Sequence, residues 1–141
     1  MPPNTMKVTN KTIIGVGSNI QPEKNIKAAE KILADEHQLL GTARVIQTSP
    51  EGFVDQDDFL NTAFYIETAL AKDSFNLYLK EVEKRLKRVK GPIKAGPRTI
   101  DLDIVVWNNQ VVDDDFYNKE YVRQPVSELI TSFNLKLQES T

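Results

Sequence analysis

Apolar and polar positions change period several times along this chain. The stretch KTIIGVGSNI, residues 11–20, is an apolar, β-branched run that stops at Gly17, Ser18 and Asn19, which predicts a strand ending in a turn. Ile26, Ala29, Ile32 and Leu33 then recur three and four apart behind Pro22, the pattern of a helix with proline in its first turn. ARVIQT, residues 43–48, reads as a short strand, and SPEGFVDQDD after it reads as a loop because it holds Pro50, Gly52 and several acids. FLNTAFYIET, residues 59–68, alternates: Leu60, Thr62, Phe64 and Ile66 take one face, Asn61, Ala63 and Tyr65 the other.

From Ser74 onward Phe75, Tyr78, Leu79, Val82, Leu86 and Val89 return at helical spacing. VKGPIKAGP breaks that helix, and a strand from Thr99 to Trp107 follows. NNQVVDDDF then suggests a turn with a short edge strand, and QPVSELITSF a short final helix. The order β-α-β-β-α-β is the split βαβ arrangement of a ferredoxin-like α+β core, with a mainly antiparallel sheet and helices on one face. One domain spanning residues 1–141 is expected from the length. Such a fold hosts many activities and decides none.

Composition removes several function classes. The chain is 40% apolar and 27% charged, and no uninterrupted apolar run approaches a membrane span. No cysteine is present, so there is no disulfide framework, and the polar start MPPNTMKVTNK is unlike a secretory leader; a cytosolic location is the expectation. A net charge of −2 argues against binding nucleic acid through bulk electrostatics. The charge is uneven, however. Lys80, Lys84, Arg85, Lys87, Arg88, Lys90, Lys94 and Arg98 precede two aspartates in the strand TIDLDIVVW. Positive charge beside a possible divalent-cation site suits a polyphosphate.

Asp101 and Asp103 are two apart in a strand, so their side chains share a face and their Cα atoms lie roughly 6.5–7 Å apart. Ile100, Leu102 and Ile104 take the opposite face. Adjacent carboxylates repel unless a cation lies between them, and Mg²⁺ is typically held by one or two carboxylates with phosphates and water completing its shell. The bland alternative is a solvated face on an edge strand, and for the pair alone the two readings are about even. Arg98, just before the strand, together with Arg88 and Lys94, favours the phosphate-binding reading.

GPRTIDLDIVVW closely resembles the signature segment of the 6-hydroxymethyl-7,8-dihydropterin pyrophosphokinase family, which moves the β,γ-diphosphate of ATP onto a pterin hydroxymethyl group and releases AMP. GVGSNI resembles the family's N-terminal Gly-Ser-Asn turn, and TSPEGFVDQDDFLNTA its pterin loop and following strand. The basic helix with Glu83 and Arg88 falls in register, so the resemblance spans roughly residues 12–107. It implies that Asp101 and Asp103 hold two Mg²⁺ ions, with ATP as co-substrate, and that Arg88 and Arg98 assist the transferring phosphates. It further implies a pterin pocket of Thr48, Phe59, Asn61 and Tyr121, and a nucleotide side of Glu83, Lys90, Lys94 and Ile104. A pterin is flat and polar-edged, so an aromatic face and an amide, as at Phe59 and Asn61, suit it. Without the resemblance Phe59 reads as a core aromatic and Asn61 as a strand-end polar residue.

The chain departs from the family in two places. Lys90 and Lys94 stand at arginine positions and Ala95 at an aromatic one, and lysine keeps the charge but loses arginine's bidentate geometry. After Trp107 the family's Pro-His segment is missing; the only histidine, His37, reads as an ordinary residue at a helix end, and Lys119 or Arg123 would have to replace the lost phosphate contacts. The expectation is a monomeric, Mg²⁺-dependent folate-pathway kinase acting on small molecules, with no nucleic-acid or membrane partner. The alternative is a non-catalytic or altered-specificity paralogue that binds a pterin-like ligand or a protein.

Overall fold

The computed structural model describes residues 8–49, 56–86 and 99–138. Strand β1 (Asn10–Ser18) leads into helix α1 (Pro22–Glu36), then strands β2 (Gln38–Thr42), β3 (Ile46–Thr48) and β4 (Phe59–Thr68). Helix α2 (Lys72–Arg85), strands β5 (Asp101–Trp107) and β6 (Gln110–Val111), and helices α3 (Asp115–Asn118) and α4 (Glu120–Ser132) complete the order. Among the described residues the strands form one six-stranded sheet in the order β2-β4-β1-β5-β6, with β3 also paired to β4. Every pairing is antiparallel. This is the expected α+β class, because each of the crossovers through α1 and α2 skips one strand, β4 between β1 and β2 and β1 between β4 and β5, and the skipped strand fills the gap antiparallel to its neighbours.

Alternation along β1 and β4 feeds two apolar clusters, one on each face of the sheet. Ile14, Val16, Phe64 and Ile66 meet Ile26, Ala29 and Leu33 of α1 and Phe75, Leu79 and Val82 of α2. Ile13, Ala63 and Tyr65 point the other way and meet Val126 and Leu129 of α4. The two core helices thus share a face as the pattern predicts, while α4 covers the face that the pattern leaves bare. The final helix begins earlier than the sequence suggests: α4 opens at Glu120, so Pro125, near the start of the expected helix, lies inside it.

One strand escapes the sequence pattern. The pattern assigns QLLGT to no element, but His37 takes an extended conformation at the C-cap of α1 and sends the chain directly into β2. ARVIQT contributes only Ile46–Thr48 as β3. The strand expected from Thr99 begins at Asp101. A register shift between Ile13 and Ile14 of β1 places an extra residue, Val105, in β5, so Val105 and Val106 both reach the α4 side. Among the described residues no helix is long and apolar enough to cross a membrane.

His37 is a packing residue. Its ring sits edge-on to Tyr78 at 4.4 Å and to Phe75 at 5.3 Å, and burial pushes its pKa down, opposed by the neighbouring Glu36 carboxylate. Glu36 links the two helices. Arg85 donates two hydrogen bonds to it, at 2.8 and 2.6 Å, and the Tyr78 hydroxyl a third at 2.7 Å. These donors, Arg85 foremost and then Tyr78, hold the Glu36 carboxyl at about 2, below its usual 4.5.

A carboxylate with a depressed folded-state pKa contributes stability that is complete above its unfolded value and lost as pH falls through the folded value. Urea midpoints measured from pH 5 down to pH 2 are therefore expected to fall more steeply for the native chain than for Glu36→Gln. Because the pair is solvent-exposed, added salt is expected to narrow that difference.

Candidate active site

Two rows of residues run across the three central strands. Asn61 of β4, Gly17 of β1 and Asp101 of β5 make one; Ala63, Gly15 and Asp103 make the next. Glycine at both central positions leaves the middle of the sheet without side chains. A Cβ on Gly17 would lie 2.9 Å from Asn61 Oδ1, closer than real contacts allow, and one on Gly15 would lie 3.5 Å from Val105. Above this bare floor, on the α4 side, is a cleft of about 580 Å³.

The residues after the floor explain why a Gly-Ser-Asn turn ends β1. Ser18 Oγ donates to Thr99 O at 2.5 Å and so fixes the chain two residues before Asp101. The Asn19 amide donates to Asp57 O at 3.0 Å and to Gln56 Oε1 at 2.8 Å, fixing the chain just before Phe59. One turn thereby sets the entry of both strands that carry candidate residues. Both side chains are buried, so these bonds are sheltered from competing water.

Phe59, Asn61, Thr48 and Tyr121 line one end of the cleft. Asn61 is 6% exposed, and its amide donates to Thr48 Oγ1 at 2.6 Å, which orients its Oδ1 over Gly17. Thr48 pairs with Phe59 across β3 and β4. Asp101 and Asp103 line the other end, with Asp113, Asp115 and Lys119. Burial pushes the Asp113 carboxyl up from its ordinary value; the Asp115 amide, donating at 2.9 Å, opposes this, while the Asp115 and Asp103 charges add to it.

At the open edge of β5, Lys80 Nζ lies 3.3 Å from Asp103 Oδ1. Burial alone would lower the pKa of this ammonium, but Asp103, Glu83 and Asp101 outweigh burial and raise it. Asp101 and Asp103 fit a divalent cation in donor chemistry and placement: two carboxylates on one rigid strand beside a floor without side chains. Among the described residues no group of three or more His, Cys, Asp or Glu is gathered to hold a metal.

The structure therefore brings together Asp101, Asp103, Thr48, Phe59, Asn61 and Tyr121, six of the residues singled out from sequence. Glu83 and Ile104 do not line the cleft. Glu83 is buried against β5, accepting from the Leu102 amide at 2.7 Å, and Ile104 packs with the α1/α2 cluster. Arg88, Lys90, Lys94 and Arg98 lie outside the described residues. Sequence reasoning missed Gly15 and Gly17 as the floor, Lys80 as a neighbour of Asp103, and the Asp113 and Asp115 wall. Glycine alternating with apolar residues in a central strand was the available signal for the floor; the others needed the fold.

Fold and cleft together set a carboxylate pair at one end of a single cavity and an aromatic and amide edge at the other. The model of the 7,8-dihydro-6-hydroxymethylpterin-pyrophosphokinase family matches residues 13–131, and the chain belongs to that family. It is 28% identical over 133 residues to the 2-amino-4-hydroxy-6-hydroxymethyldihydropteridine pyrophosphokinase of Bacillus subtilis, covering 86% of this chain and 79% of that one. Its match to the protein of the same name in Haemophilus influenzae is 29% over 136 residues, 86% of this chain and 82% of that one. It is also 26% identical over 139 residues to the Folic acid synthesis protein FOL1 of Dictyostelium discoideum, covering 92% of this chain and only 21% of that protein.

The contact between Gly17 and Asn61 gives a direct test of the floor. Gly17→Ala is expected to displace the Asn61 amide, break its bond to Thr48 and cost about 1–3 kcal/mol of stability. In an Asn61→Ala background most of that cost is expected to vanish, which a double-mutant cycle of urea midpoints reads directly.

Proposed function

We propose that this chain, acting as one monomeric domain, transfers the β,γ-diphosphate of ATP to 6-hydroxymethyl-7,8-dihydropterin and releases AMP, a Mg²⁺-dependent step of folate synthesis. One observation carries the reading: in a chain of the pyrophosphokinase family, Asp101 and Asp103 face the cleft opposite Asn61 and Phe59 across a glycine floor.

In this reading Phe59 and Tyr121 offer aromatic surface to the pterin, while Asn61 and the Thr48 segment offer hydrogen-bonding groups to its edge. Asp101 and Asp103 hold the Mg²⁺ ions, which when bound neutralise phosphate charge and polarise the phosphoryl oxygens. Arg88 and Arg98 stabilise the phosphates, and Lys90 and Lys94 add charge on the nucleotide side, where Glu83 and Ile104 border the far face of β5. Lys119 supplies a cation from the α4 side. The pterin hydroxymethyl oxygen attacks the β-phosphorus, the bond from that phosphorus to the α-phosphate oxygen breaks, AMP leaves, and the hydroxyl proton passes to solvent. No protein nucleophile is needed, so the work of the side chains is positioning and charge neutralisation.

The acidity of the cleft fits this division. Asp101, Asp103, Asp113 and Asp115 line it together, and a bare polyphosphate would be repelled unless divalent cations arrive with it. The same acidity favours a second reading, in which the chain binds a pterin-like ligand without transferring diphosphate, since Asp113 and Asp115 add negative charge to the wall that faces the phosphates.

AMP release from ATP, with Mg²⁺ and 6-hydroxymethyl-7,8-dihydropterin present, separates the two readings. AMP is expected only in the complete mixture, and Asp101→Ala and Asp103→Ala are each expected to lower its rate about 100-fold or more. Pterin binding without AMP would select the second reading.

Asn61→Ala is expected to weaken pterin binding about tenfold by calorimetry, because the ring's edge loses its buried partner. Magnesium-dependent nucleotide binding is expected to change little in that variant. Unaltered pterin affinity would remove Asn61 from the pocket.

A further inference from the structure

Leu102 lies between the two aspartates, and its N–H and C=O point away from β1 toward the side of β5 that α2 covers. Both groups are satisfied from that helix: the Leu102 amide donates to Glu83 Oε2 at 2.7 Å, and Lys80 Nζ donates to Leu102 O at 2.8 Å. The same ammonium donates to Glu83 Oε2 at 3.0 Å and to Asp103 Oδ1 at 3.3 Å. The Glu83 side chain is only 4% exposed, whereas those of Lys80 and Asp103 are 36% and 48% exposed. A buried carboxylate and a backbone carbonyl thus anchor one end of a contact whose other end is an aspartate open to the cleft.

Such an ammonium differs from a surface lysine that samples many rotamers, because two fixed acceptors have already restricted it. It also answers the question posed by two carboxylates side by side. With no divalent cation bound, Lys80 supplies the positive charge that lowers their mutual repulsion. A divalent cation approaching Asp103 meets that charge and competes with it for the same carboxylate.

We propose that Lys80 is an internal counter-cation of the Asp101/Asp103 pair, one that positions Asp103 and weakens divalent-cation binding until nucleotide phosphates arrive. The inference rests on the metal-binding reading of the pair. Its physical content is that the phosphates bring the negative charge needed for an ammonium and a divalent cation to occupy one small region together. Lys80 acts through Asp103 and is a positioning residue.

The test is a titration of the full chain with Mn²⁺, without nucleotide, followed by electron paramagnetic resonance of the free ion. Lys80→Met and Lys80→Gln are both expected to bind Mn²⁺ about three- to tenfold more tightly than the native chain. A merely structural lysine would give the opposite sign or no change, since its loss would loosen β5 without relieving any competition. Lys80→Gln keeps a donor for the Leu102 carbonyl, so it decides the matter if Lys80→Met lacks a cooperative melting transition. Equal or weaker Mn²⁺ binding by folded Lys80→Gln overturns the proposal. Asp103→Ala separates the two layers: if it loses Mn²⁺ binding while the Lys80 variants gain none, the inference alone fails. If Asp103→Ala binds Mn²⁺ as the native chain does, the metal-binding reading fails and the inference with it.

Discussion

β1 lies between β4 and β5, and its backbone hydrogen bonds fix the register of both. The two aspartates and Asn61 are placed through that pairing: Asn61 and Asp101 lie opposite Gly17, Asp103 opposite Gly15. A slip of one residue on either side would turn the whole set to the wrong face. Burial on both faces prevents the slip. Ile14 and Val16 enter the α1/α2 cluster and Ile13 enters the α4 cluster, each almost wholly buried. The same strand therefore provides core on two sides and empty space over its glycines on one.

The consequence is a division of labour between the two faces. The α1/α2 face is filled with large side chains, including Phe64, Phe75, Leu33 and Leu79, and is rigid in the way close-packed interiors are. On the opposite face α4 packs over Ala63 and Tyr65 but not over Gly15 and Gly17, and the cleft is what remains beside it. Groups that border this space are held by hydrogen bonds to their neighbours. Thr48 holds Asn61, the Ser18 hydroxyl holds the chain ahead of Asp101, and Lys80 reaches from α2 to the edge of β5. Precise placement of polar groups on strands is better served by such bonds than by loops alone.

Much of the fold was legible because its elements carry long, clean periods. The alternation through residues 59–68 placed Asn61 and Leu60 on the correct opposite faces, and the helical spacing from Phe75 to Val82 identified the helix that packs on the sheet. The pairing of Asp101 with Asp103 on one face followed from strand period alone, as did the separation of Leu102 and Ile104 from them. β2 was not legible, because two leucines after a helix carry no turn signal and the change of direction occurs in the backbone of His37. Nor was the earlier start of α4, because Pro125 lies inside the helix where a proline more often stands at its start.

Local sequence therefore determined the types of element, the faces of β4 and β5, and a set of residues whose chemistry suits a cation and a flat heterocycle. Tertiary structure alone decided which of those residues meet. It set Asn61 and Asp101 on either side of Gly17, turned Glu83 and Ile104 away from the cleft, and brought Lys80 against Asp103 and Asp113 into the same acidic wall. The physical reason is range. Side-chain period is a property of a few consecutive residues, whereas neighbours across strands and round a sheet edge are fixed by pairings and packing between segments far apart in the chain.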